Sequence, residues 1–224
     1  RSLIKESTNS LSVGGVVKLT KKILFITFTC EAVGAFLLSF RFIPEFGILK
    51  GVWFSIFHSI SAFCNAGFDL MGIKYGAYNS LSAYSSDFLI NIVIMLLILI
   101  GGIGFIVWDD VTKHRLNFKK YRLHSKIVIF ASVILFVIPT LIFFITEQTT
   151  VLKGMSFSHA VLVSTFSDVT ARTAGFNTVD FKLFSDAGKM VFIIIMFIGA
   201  GSGSTAGGIK MTTFFVLLAQ VRAN

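Results

Sequence analysis

Apolar residues run in long blocks along this chain, and polar residues collect in the gaps between them. Three blocks are long enough to cross a hydrocarbon core of roughly 30 Å, which takes about 20 helical residues. They are "ILFITFTCEAVGAFLLSF" (23–40), "FLINIVIMLLILIGGIGFIVW" (88–108) and "IVIFASVILFVIPTLIFFIT" (127–146). The first carries one charge, Glu31, and the other two carry none. Each is predicted to be a spanning helix, the third kinked at Pro139. A fourth block, 190–221, is interrupted only by the charge of Lys210. As one straight helix it would extend about 48 Å at 1.5 Å per residue, more than a bilayer core accommodates. Its centre reads "GAGSGSTAGG", so two half-helices around an unwound glycine loop are predicted. Irregular backbone at that depth is tolerated only where it is buried in protein or lines a wet cavity.

Two shorter segments, 51–68 and 154–176, are apolar for about a dozen residues, then turn small and polar and end near a glycine. That length suits re-entrant helices rather than spans. In order, the chain therefore reads span, re-entrant helix, glycine turn, span, and then the same again. "CNAGFDL" (64–70) aligns with "RTAGFNT" (172–178), placing Gly67 over Gly175. Further on, "SSDFLINIVIMLLILIGGIG" aligns loosely with "FSDAGKMVFIIIMFIGAGSG", setting Asp87 against Asp186. The expected units are 1–22, 23–108, 109–126 and 127–224: a cytoplasmic segment, one repeat, a cytoplasmic basic loop and a second repeat whose last span is broken.

Composition agrees with lipid as the solvent. Charged residues make up 14% and the mean hydropathy is +0.83, against about 25% charged in a soluble domain. The net charge of +9 does not point to nucleic acid, because the basic residues gather in short segments between apolar blocks. Residues 109–126 hold six Lys/Arg and two Asp; residues 1–22 hold five Lys/Arg and one Glu. Both are therefore predicted to face the cytoplasm, with the re-entrant segments facing outward. Cys30 and Cys64, without metal-ligand spacing, read as small buried residues rather than a disulfide or a site. Both ends of the chain read as cuts through a longer polypeptide.

The chemistry such a unit offers is ion coordination. A short helix tipped toward the membrane centre, followed by extended backbone, aims carbonyl oxygens inward, where they replace the water shell of a monovalent cation. Glycine serves there because the backbone needs positive φ and close approach. The rival reading of "VFIIIMFIGAGSGSTAGGIK" is a nucleotide-binding enzyme. It fails because Gly208 is followed by Ile209, Lys210 and Met211, whereas a phosphate loop needs Gly-Lys-Ser/Thr. No nucleophile–base constellation is present either, so no enzyme is expected; a non-transporting membrane scaffold is the other alternative.

"SISAFCNAGFDL", "GGIGF", "TARTAGFNTVD" and "GAGSGSTAGGIKMTTF" together resemble the Ktr/Trk/HKT superfamily of potassium transporters, most of all bacterial KtrB-type membrane subunits. The resemblance covers nearly the whole chain. It implies four span–pore-helix–span repeats about one central pore, of which this chain matches the second and third. It places the potassium filter on Asn65, Ala66, Gly67 and Phe68 and on Thr173, Ala174, Gly175 and Phe176. With one glycine per turn, selectivity for potassium over sodium should be looser than in tetrameric channels. The intramembrane gate falls on Gly199, Gly201, Gly203, Gly207, Gly208 and Lys210. K+ is the implied transported ion, with Na+ as a coupling or activating ion. The implied partners are the missing repeats, a second copy in a homodimer and a cytoplasmic nucleotide-binding ring, at the cell membrane.

Several side chains stay open at this point. Glu31 is a charge in lipid territory, either functional or a structural partner for Thr27 or a lysine. Lys210 either plugs the pore, pairs with a carboxylate, or snorkels toward the cytoplasmic interface. Arg172 would repel a cation and is expected to pair with Asp168, one turn earlier. His58 and His159 are expected to pack rather than bind metal.

Overall fold

The computed structural model of the chain describes residues 13–115 and 117–223. Residues 1–12 of the expected cytoplasmic segment, Leu116 of the basic loop and Asn224 thus lie outside the described residues. The chain opens with a hairpin of two helices, α1 (Val13–Phe46) and α2 (Ile48–Phe63). Gly47 alone makes the turn, at a φ of 79° that favours glycine. The two helices approach closely because small residues face each other. A Cβ on Gly51 would lie 2.7 Å from the Ile43 nitrogen, and Ser59 Oγ, packed at Gly34, donates to the Glu31 carbonyl at 2.7 Å. The helices that follow are α3 (Gly72–Tyr75), α4 (Phe88–Gly102), α5 (Phe105–His114), α6 (Leu123–Thr146), α7 (Phe157–Ala171), α8 (Asp186–Phe197) and α9 (Met211–Ala223). Among the described residues there is no strand, only one isolated parallel bridge between Ile198 and Ile209.

The all-α membrane architecture is as expected. Among the described residues, two helices are long and apolar enough to cross a membrane, over Val17–Phe46 and Leu123–Thr149. The second expected span, 88–108, is not one helix. It breaks at Ile103 and Gly104 (φ 93°), and α4 and α5 meet at 94°. The break has partners: Gly201 N donates to Gly102 O at 3.0 Å, and Phe105 N donates to Gly203 O at 3.0 Å. Residues 109–126 are likewise not a plain loop, since α5 runs to His114 and α6 begins at Leu123. Asp109 there holds Lys22, Lys113 and Arg122, while buried Asp110 accepts from Ser125 Oγ at 2.6 Å. These bonds clamp the start of α1, α5 and the start of α6 together. The fourth block divides as expected: α8 and α9 are 12 and 13 residues long and are separated by 198–210.

The two halves are built alike at the C-terminal ends of their first spans. Each first span ends in a carboxylate that gathers the loop leading to the second. Glu45 accepts from the hydroxyls of Tyr75 and Tyr84 and pairs with Lys74. Burial, and then the Glu45 hydrogen bond, push the Tyr84 hydroxyl above its ordinary range, so it stays a donor. Glu147, 1% exposed, accepts from Ser185 N at 3.0 Å and from Ser185 Oγ at 2.6 Å. Asp87 caps α4 by accepting from Ile90 N, but in the second half Ser185, not Asp186, is the cap, accepting from Gly188 N. The cap roles therefore fall one residue away from the Asp87–Asp186 alignment. Since Glu147→Ala leaves the half-buried Ser185 donors unpaired, a loss of about 1–2 kcal/mol is expected. It should appear as a drop of several degrees in the apparent Tm of the detergent-solubilised protein, whereas Asp186→Ala should leave Tm unchanged.

Candidate functional site

Helices α2 and α7 both end in the same irregular turn. After α2 the backbone turns left-handed at Asn65 (φ 51°) and Gly67 (φ 71°); after α7 it does so at Thr173 (φ 68°) and Gly175 (φ 90°). The match falls in the register that "AGF" predicts. Left-handed Asn and Thr are uncommon, and a β-branched residue there is strained. The structure holds that strain with hydroxyls at the foot of each turn. Ser61 Oγ donates to Phe68 O at 2.8 Å, and Thr170 Oγ1 donates to Phe176 O at 2.6 Å.

The two turns meet. A Cβ on Gly67 would overlap the Ala174 carbonyl oxygen and lie 2.8 Å from the Gly175 Cα; one on Gly175 would lie 3.4 Å from the Gly67 Cα. Their outer continuations are also joined, Leu81 N to Asn177 O at 2.8 Å and Asn177 N to Ser80 Oγ at 3.0 Å. All eight predicted site residues, Asn65–Phe68 and Thr173–Phe176 in number, therefore belong to one locus. The turns differ in burial: the Phe176 ring is fully buried, whereas Phe68 is 70% exposed.

The glycine-rich segment lies against the same locus. Thr205 Oγ1 donates to Phe63 O at 2.9 Å, Asn65 Nδ2 donates to Thr205 Oγ1 at 3.4 Å, and Gly207 N donates to Thr173 Oγ1 at 2.8 Å. One segment thus touches both turns. Its own ends are stitched by Gly199 N to Ile209 O at 2.9 Å and Met211 N to Ala200 O at 3.1 Å. Gly199 and Gly208 are in contact, with 2.6 Å from a Cβ on Gly208 to the Gly199 Cα. Lys210 Nζ donates to Ala206 O at 2.6 Å, so among the described residues it pairs with no carboxylate and folds back onto the segment instead.

Beside both turns lies a cavity of about 230 Å³, bordered by Asn65, Gly102, Phe136, Arg172, Ala200 and Met211. Arg172 pairs with Asp168 at 3.1 Å, as expected. His58 is buried and packs: its Nδ1 contacts Phe54 O at 2.7 Å while Nε2 accepts from Leu70 N at 3.3 Å, which fixes the neutral ring. No cluster of three or more metal-ligating side chains occurs among the described residues. The Glu31 carboxylate has neither Thr27 nor a lysine as a hydrogen-bond partner among the described residues, and its backbone carbonyl accepts from Ser59 Oγ. Cys64, expected to be buried, is exposed at the end of its helix, and Cys30 is half-buried.

A family model described as a cation transport protein, TrkH, matches residues 3–224. The chain belongs to the TrkH family of cation transport proteins. It is 43% identical over its whole length to the potassium/sodium uptake protein NtpJ of Enterococcus hirae, covering 48% of that protein. It is 40% identical, again over its whole length, to the Ktr system potassium uptake protein B of Bacillus subtilis, covering 49%. The chain therefore spans about half the length of these relatives. In three dimensions it is similar to the potassium transporter TrkH of Vibrio parahaemolyticus, with a TM-score of 0.73, 22% identity, 99% of this chain and 45% of that one covered.

For a member of the TrkH family, reading the residues in order misses Thr205 and Gly101. Thr205 is one hydroxyl in a small-residue run, and only its partners at Phe63 and Asn65 reveal it. Gly101 looks like an ordinary helix residue, yet a Cβ there would overlap Phe63 O and lie 2.8 Å from Thr205 Oγ1. Thr205→Val removes the donor to Phe63 O, about 1 kcal/mol. Amide exchange at Gly201, Thr205 and Gly207 should then speed up roughly five- to tenfold, with exchange in α6 unchanged. Equal protection in the variant would show that Thr205 does not hold the segment.

Proposed function

We propose that the chain supplies two quarters of a potassium-conducting pore in a cation uptake system, with Asn65–Phe68 and Thr173–Phe176 (numbers 65–68 and 173–176) as filter turns. The observation that carries this is the contact between Gly67 and Gly175, each at positive φ at the foot of its own re-entrant helix. Such turns can aim carbonyls toward a shared axis, and helix C-termini pointing there add a field that favours cations. The names of the relatives, potassium/sodium uptake protein and Ktr system potassium uptake protein B, support K+ as the transported ion. The first also supports a part for Na+.

The remaining quarters come from the other half of the whole transporter. The exposed Phe68 ring, opposite in burial to Phe176, is consistent with a surface awaiting that half. The glycine-rich segment, with Gly199, Gly201, Gly203, Gly207, Gly208 and Lys210, is the gate. Its bonds to Thr173, Phe63 and Asn65 support that role, because moving it must disturb both turns. The protein is read as a multi-pass component of the cell membrane with the clamp at Asp109 and Asp110 on the cytoplasmic side. By resemblance it works as a homodimer on a cytoplasmic nucleotide-binding ring, which the basic surface around Lys113, Lys119 and Lys120 would meet.

Potassium uptake by the full-length transporter in an uptake-deficient strain tests both assignments. Gly175→Ser, forced into φ 90° against the Gly67 backbone, should abolish uptake with the protein still present in the membrane. Unchanged uptake would refute the filter. Deleting residues 201–207 should raise basal flux in the absence of the activating nucleotide, and an unaltered basal flux would refute the gate.

A further inference from the structure

Asp168 and Arg172 occupy an unusual position for two charges. Arg172 caps the C-terminal end of α7, and the left-handed Thr173 follows it directly. The side chains are 0% and 5% exposed and pair at 3.1 Å, so solvent does not screen them. Thr140 Oγ1 of α6 reaches Asp168 Oδ2 at 3.4 Å. Asp168 Oδ1 and Arg172 Nε are buried without a hydrogen-bond partner among the described residues.

The turn does not need this pair in order to form. In the register that sets Gly67 on Gly175, Asp168 corresponds to Ile60 and Arg172 to Cys64. The first turn nonetheless takes the same left-handed path, at φ 51° and 71°, and Ile60 and Cys64 cannot form an ion pair at those positions. A purely architectural role therefore leaves the second turn's charges unexplained. Their distance from the proposed filter is short: three Cα steps of about 3.8 Å put Gly175 within roughly 11 Å of Arg172. At that range an unbalanced charge in a medium of effective dielectric near 20 changes cation occupancy by on the order of tenfold.

We propose that Asp168 and Arg172 form a charge-balancing pair that sets cation affinity at the second filter turn. Asp168 cancels the positive charge that Arg172 would otherwise present to the ion. The assignment rests on the reading of Gly175 as a filter residue. Arg172 in turn opposes the partial negative charge of the α7 C-terminus, which keeps the turn from holding its ion too tightly. Both are specificity-determining residues that act through the field rather than by touching the ion.

The test is the KM and the maximal rate of potassium uptake by the full-length transporter with its regulatory partner, normalised to the amount in the membrane. Asp168→Asn should raise KM about tenfold. Arg172→Gln should lower it, and the double variant Asp168→Asn/Arg172→Gln should return to within about threefold of the parent. A merely structural pair would give a double variant no better than either single one, or singles that shift KM in the same direction, and either result overturns the proposal. Should Asp168→Asn fail to reach the membrane, Arg172→Gln and the double variant still decide the matter: KM must fall in the former and recover in the latter. Failure of the filter reading is distinguishable, because Gly175→Ser would then leave uptake intact.

Discussion

At Gly67 there is no room for a side chain, because the backbone of the opposite turn occupies the place a Cβ would take. Two helices from different halves of the chain bring their ends this close because both turns are left-handed and Gly67 carries no side chain. The rest of the molecule follows from that contact. The α1–α2 hairpin and the α6–α7 pair deliver the helix ends to the meeting point. Ser61 and Thr170 brace the turns from beneath, and the carboxylates Glu45 and Glu147 fix the outer loops that lead away from them.

The same contact explains why the last helix is broken. A continuous helix through 198–210 would keep its backbone groups to itself, whereas the unwound segment offers Gly207 N to Thr173 and its Thr205 hydroxyl to Phe63. It also holds open the bend between α4 and α5 through Gly201 and Gly203. Turn, bend and segment are therefore one hydrogen-bonded unit, and the α5 end of that unit reaches the clamp at Asp109 and Asp110. A continuous series of hydrogen bonds and ion pairs therefore links the basic surface to the proposed filter.

Two of the three expected spans, the shorter apolar helices and the recurrence of the glycine turn were legible in the sequence because each is a matter of block length and local spacing. Glycine-rich slack in an oversized apolar block likewise announced the break after Phe197. The break at Gly104 was not legible. "GGIG" sits within a block of 21 uncharged residues, and hydropathy cannot register partners that lie about a hundred residues further on, at Gly201 and Gly203. Thr205 was hidden for the same reason. The Asp168–Arg172 pair was legible because its i, i+4 spacing on a helix is local. Its absence from the first turn became meaningful only once both turns were seen to follow one path.

In the proposed pore the Gly67 and Gly175 turns share one cation. The most direct measurement is a structure of the complete transporter, in its membrane and with thallium or rubidium replacing potassium. Anomalous density is expected on the pore axis that both turns face, within coordination distance of their carbonyls and above the glycine-rich segment. Ordered turns whose axis holds no cation density, with the ion bound elsewhere, would contradict it.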